Sequence, residues 1–260
     1  MGGGMVASAA GRLPLEPLRP DFPFYRPSEG MLTASGWFLV LAGTVIGFLM
    51  LLVPLPLGEG PATAWLRTAA FAGIPLLCLT IAAPTNWRRI FGRVGLRELG
   101  LMLLFAMANI VISMVIGALV QTFGTTSGNA RIADAGQLSG AALFDFYAQV
   151  AVQLLGEELI TILPFLALLT FCHRTLNFSR NGAAIFAWLV TAMAFGLIHL
   201  STYQWKFVQC LVVIGGARLI LTWAYIHSKS IWVSTGAHII NDWAIMSATI
   251  FLAPLVGDGA

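Results

Sequence analysis

Two adjacent glutamates, Glu157 and Glu158, lie inside a long apolar stretch, and His199, Arg218, His238, Asn241 and Asp242 occupy three further apolar stretches downstream. A charge near the centre of a bilayer costs roughly 2.5–3.5 kcal/mol on insertion scales. Each of these groups therefore needs a proton, a counter-ion, a metal, a hydrogen-bond network or water. Two hydrolytic chemistries fit the set. In the first, a glutamate and a histidine activate water for attack on a carbonyl, and a second histidine with an acid or amide donor stabilises the oxyanion. In the second, Glu157 or Glu158 joins His199, His238 and Asp242 around a divalent metal such as Zn2+, which acidifies bound water. No HExxH spacing is present, so such a metal site would be assembled from separate helices. A third possibility is a proton relay, because intramembrane carboxylates and imidazoles also carry protons in transporters.

Spacing narrows where these groups point. Gln149, Gln153, Glu157 and Thr161 recur every four residues, which on a helix makes one polar stripe facing the bundle interior or a water-filled cavity. Glu158 lies about 100° away and faces elsewhere. Ser234, His238, Asn241 and Asp242 are spaced to share a face, and His199 closes the run Phe195 to His199. Pro164 is placed to kink the fourth apolar stretch.

The elements that must hold these groups are membrane helices. A chain of 260 residues that is 58% hydrophobic and 10% charged, with mean hydropathy +0.85, is a polytopic membrane protein rather than a soluble domain. Lipid offers no partner to open backbone groups, so the fold class is all-α, a transmembrane helical bundle. About seven stretches are long enough to span: 33–56, 62–83, 99–120, 142–171, 182–202, 205–226 and 231–254. Residues 1–30 read as a flexible cytoplasmic tail, and 31–260 as a single transmembrane domain with its catalytic core at about 142–254. The loop 122–140, rich in Gly and Ser, reads as an external excursion. Ten Lys and Arg fall on the side of the N-terminus and three on the other, which puts the N-terminus in the cytoplasm and the C-terminus outside. The basic residues sit in loops between spans, so the formal charge of +3 indicates no nucleic-acid partner. Cys78, Cys172 and Cys210 form no CxxC pair and read as small core residues.

Taken together, Glu157-Glu158, Phe195 to His199 and His238 to Asp242 resemble the motifs EExxxR, FxxxH and HxxxN/D of the CPBP intramembrane protease family. That family includes the CAAX prenyl proteases and Abi-like bacterial homologues tied to bacteriocin processing or self-immunity. The resemblance covers about residues 142–254. It implies that Glu157 activates water with help from His199, that His238 and Asp242 form the oxyanion site, and that Glu158 and Asn241 support them. It also implies a bacterial inner-membrane location and a membrane-embedded or lipidated protein or peptide as substrate. The expected function is thus an intramembrane endopeptidase. The alternatives are a proton-coupled transporter and a non-catalytic immunity or interaction protein.

One position departs from the pattern. Where EExxxR has arginine, this chain has Ile162. Arg218, from the sixth stretch, is the candidate to supply that charge, its other reading being an arginine that snorkels to the membrane surface. Geometry adds a second requirement. His238 falls early in its stretch and His199 late in its own, so the two share a site only if the fifth helix ends within the bundle, with Ser201, Thr202 and Tyr203 as a recessed turn.

Overall fold

Short polar residues and prolines mark where the apolar runs become helices. Thr33 caps α1 (Ala34–Leu52) by accepting from the Gly36 N–H at 3.1 Å. Proline opens α2 (Pro61–Ala82), where its missing N–H costs nothing. Glu98 reaches back to the Gly95 N–H at the start of α3 (Leu96–Phe123), and Asn129 caps the short α4 (Ala130–Ala135). Then come α5 (Gly140–Arg174) and α6 (Arg180–Ile198), the latter capped by Ser179. A π-helical turn, Gln209–Ile214, leads into α7 (Gly215–Ser228), and α8 (Ile231–Phe251) completes the bundle. The computed structural model describes residues 12, 13, 16, 21–53, 56, 58, 60–124 and 126–251, and no strand occurs among them. The rest of the tail 1–30 and the end of the seventh stretch, 252–254, lie outside the described residues.

Among the described residues the fold is all-helical, and six helices are long and apolar enough to cross a membrane. The seventh expected span is present as α8, a 21-residue helix, but it falls short of the other six in apolar character. Its polar residues Ser234, His238, Asn241 and Asp242 account for that lower apolar character. The outer surface suits lipid: Phe38, Leu104, Met114 and Phe123 are all exposed. At 35 residues α5 is about 50 Å long, well beyond a hydrocarbon core of roughly 30 Å.

Polar residues sit between apolar layers. On α5, Phe146, Val150 and Leu154 pack with Met246 and Ile250 of α8, whereas Leu159 through Leu169 pack with Phe22, Tyr225 and Ile231. Glu157 and Glu158 fall in the gap. On α8, Val233 and Ala237 pack against Met102, Phe105 and Ala106 of α3, and His238, Asn241 and Asp242 follow. Two close approaches hold this arrangement. A Cβ on Gly236 would clash with the Met102 sulfur, and one on Gly196 of α6 would clash with the Cys210 carbonyl oxygen. The second neighbour is backbone and cannot move aside, so Gly196 sets how near the π turn comes to α6.

The reading of residues 1–30 as a flexible tail does not hold for the described part. Phe22, Phe24 and Tyr25 are wholly buried in the core. Beside them Arg180 pairs with Glu16 and Asp21, and Lys229 pairs with Glu16. The segment packs because its acids meet cations from the start of α6 and from the α7–α8 turn, more than 150 residues away in sequence. Burial alone would raise the Glu16 carboxyl, but hydrogen bonds and charge from Arg180 and Lys229 outweigh it and hold the group at about 2. A carboxyl held below its unfolded value of 4.5 stabilises the docked state above that value and loses the contribution as pH falls from 4.5 towards 2. Hydrogen exchange of residues 21–25 is therefore expected to accelerate across that window before the helices open; uniform protection across it would contradict the latch.

Candidate active site

Glu158, on α5, is fully buried and bound on both oxygens by Arg218 of α7, Nη1 to Oε1 at 2.6 Å and Nη2 to Oε2 at 2.8 Å. Such a forked pair is the geometry in which a guanidinium binds a carboxylate most strongly. Arg218 also donates from Nε to the Thr222 hydroxyl and lies over the Phe195 ring. It is fully buried, so the surface-snorkelling alternative is gone. Ile162, where the family motif has arginine, is buried in the apolar core. The positive charge beside the glutamate comes instead from another helix.

The Glu158 Oε1 also lies 2.9 Å from His238 Nδ1. A carboxylate here accepts, so Nδ1 carries the proton and Nε2 points away from Glu158. Around Nε2 stand Glu157 Oε2 at 4.0 Å and Asp242 Oδ1 at 3.7 Å. Asn241 donates to Asp242 at 2.8 Å. Glu157 keeps one oxygen for Gln153, which donates at 2.9 Å, and presents the other to the cavity.

His199 caps the C-terminal end of α6, and its Nδ1 lies 2.8 Å from the Phe195 carbonyl oxygen. That oxygen can only accept, so Nδ1 donates, and a neutral His199 leaves Nε2 as a base. The Phe195 ring stands 4.5 Å from the His199 ring and 6.4 Å from the His238 ring. The two imidazoles thus flank one phenyl ring and line one cavity of about 190 Å³ with Glu157, Arg218, Asn241 and Asp242. The helix of the fifth apolar stretch, α6, does end early, at Ile198 rather than 202, as a shared site requires. Tyr203 of the following turn stacks on His199 at 6.5 Å and lines the cavity, while Ser201 and Thr202 are exposed. Burial first, then the charges of Asp242 and Glu157, push the Tyr203 phenol up to about 12, so it stays a neutral O–H donor.

The polar stripe of α5 does not line this cavity as a whole. Gln149 donates to Asp145, Gln153 is engaged by Arg131 and Glu157, and the Thr161 hydroxyl returns to the Glu157 carbonyl oxygen. These side chains satisfy one another along the helix, and of the four Glu157 alone lines the cavity. Among the described residues, no group of three or more His, Cys, Asp and Glu is arranged to hold a metal ion. Glu157, His199, His238 and Asp242 all line the one cavity.

Three contributors lie outside the motifs. Asn109 and Ser113 of α3 line the cavity, with Asn109 fully buried. Asn129, at the start of α4, lines it too. The loop read as an external excursion is folded back over the site, held by paired hydrogen bonds between the Gln209 amide and the Ser127 backbone. In the sequence, the signal for Asn109 is an amide with a serine four residues on in the apolar middle of a 28-residue helix.

Residues 139–244 match the family model for type II CAAX prenyl endopeptidase Rce1-like proteins. Over this segment, the Rce1-like domain, the chain is similar to that family. The family is one of proteases, and the matched segment runs from the start of α5 into α8, so it contains every residue of the three motifs. Searches of curated proteins and of solved structures find no match to the chain. Asn109, Ser113, Asn129 and Arg131 lie outside the Rce1-like domain, although they stand in or beside its cavity.

Proposed function

We propose that the protein is an intramembrane endopeptidase that hydrolyses a peptide bond of a membrane-embedded or lipidated substrate with water activated by Glu157 and His199. The observation that supports this reading best is the division of labour between the adjacent glutamates. Glu158 has both oxygens committed to Arg218 and His238, whereas Glu157 lines the cavity with Oε2 4.0 Å from His238 Nε2. One carboxylate positions and the other is available to take a proton. Asp242, whose side chain is 34% exposed, marks the side from which water enters.

In the proposed mechanism water is held between Glu157 and His199 and attacks the scissile carbonyl as its proton passes to Glu157. The developing oxyanion is met by Asp242 and by His238 acting as the imidazolium, with Nδ1–H on Glu158 and its second proton on Nε2 beside Glu157. Glu158, bonded to Nδ1, holds the ring in the orientation that this requires. The proton then moves to the leaving amine. The end of the bundle bearing Arg88, Arg89, Arg93 and the N-terminal latch faces the cytoplasm, and the Asp242 side faces outward.

Asp242 donates to an oxyanion only while it is protonated, whereas an amide donates at every pH. Asp242→Asn is therefore expected to keep cleavage within about tenfold and to flatten its dependence on pH. Rates measured across the neutral range check this, and a loss as large as that from removing Glu157 would contradict the oxyanion role. The function itself is tested with purified protein in liposomes and a quenched-fluorescent farnesylated peptide with a CAAX terminus. Cleavage that disappears in Glu157→Ala and His199→Ala supports the reading. Proton-driven flux without cleavage would replace it with a carrier.

A further inference from the structure

Asn109 sits in the middle of an apolar helix and is fully buried, yet neither its amide nitrogen nor its carbonyl oxygen has a hydrogen-bond partner among the described residues. One turn further along α3, the buried Ser113 hydroxyl is likewise unpartnered. Across the same cavity the Asn241 carbonyl oxygen is a fourth such atom, its amide nitrogen being committed to Asp242. These groups are level with the chemistry. Met102 abuts Gly236, and α3 and α8 advance together from that contact to Asn109 and Asn241, which line one cavity with Glu157 and both histidines.

Unpaired donors and acceptors on a cavity wall call for a ligand that brings the complementary set. A peptide segment entering a protease site within the bilayer must leave its helix, and each residue freed exposes an N–H and a C=O that lipid cannot satisfy. A primary amide offers one donor face and one acceptor face in a single plane, which matches the C=O and N–H of an extended backbone.

We propose that Asn109 and Ser113 form a backbone-binding site that holds the unwound substrate segment beside the scissile bond. The site recognises the peptide backbone rather than a side chain, and α3, outside the Rce1-like domain, supplies it. The inference rests on the endopeptidase reading. Asn109 is a binding residue here and takes no part in proton transfer.

The test uses the full chain in liposomes, with the quenched-fluorescent farnesylated CAAX peptide and a series in which one backbone amide at a time is replaced by an ester. Asn109→Leu removes the amide at similar volume. It is expected to raise KM about tenfold with a smaller change in kcat, without lowering the unfolding temperature. One ester position is expected to cost the wild-type protein a similar factor and to cost the Asn109→Leu variant nothing further. A merely structural role would not produce that position-specific loss of sensitivity. Should Asn109→Leu not accumulate, Ser113→Ala carries the same comparison, with an expected loss of about threefold. Unchanged KM in these variants, or the same ester penalties at every position in variant and wild type, would overturn the site while leaving the endopeptidase reading intact. A wild-type protein that leaves the peptide uncut would overturn both.

Discussion

Replacing Glu157 with glutamine is expected to lower kcat by about 10²–10⁴-fold, the range that a positioned general base contributes, while leaving the unfolding temperature nearly unchanged. Glutamine keeps the shape and keeps an acceptor for the Gln153 amide, which is the hydrogen bond that Glu157 accepts through its side chain. What it loses is the ability to take a proton from water at the cavity-facing oxygen. Activity on a defined peptide and thermal unfolding, measured on the same preparation, separate the two effects. An E157Q protein within tenfold of wild type would remove Glu157 from the base role and leave His199 to act alone.

Arg218→Met is expected to cost about 3–5 kcal/mol of stability, because it strands the fully buried Glu158 without its counter-charge. Glu158→Leu strands the guanidinium in the same way. The double variant Glu158→Leu/Arg218→Met removes both charges and is expected to recover most of the loss, since apolar groups of similar volume tolerate such sites well. Its activity is not expected to return, because His238 would lose the acceptor at Nδ1 that holds its ring. Denaturant unfolding of the four proteins forms a double-mutant cycle. Additive losses in the double variant would show that the two side chains do not act as a pair.

Much of this site is legible in the sequence because its residues are costly where they stand. Glutamates, histidines and an aspartate in apolar helices leave few readings open, and motif order narrowed them further. Pairing was harder to read. Arg218 and Glu158 are 60 residues apart, and His238 and Glu158 are 80 apart, so helix packing rather than spacing decides which glutamate is neutralised. Periodicity correctly put Gln149, Gln153, Glu157 and Thr161 on one stripe but not what each bonds, since side chains on a stripe can satisfy one another. The acids of the N-terminal segment looked solvated because their partners, Arg180 and Lys229, lie far along the chain. Asn109 carries the weakest signal, an amide in the apolar middle of its helix, and what singles it out is the absence of any partner among the described residues.

The most direct measurement compares peptide termini in membranes from cells carrying the wild-type protein with those from cells carrying Glu157→Ala or His199→Ala, at matched expression. It presumes no particular substrate. If Glu157 and His199 activate water within this bundle, a set of new termini in or beside membrane segments is present with the wild type and absent with both variants. Identical termini in all three membranes would contradict a proteolytic role for the site.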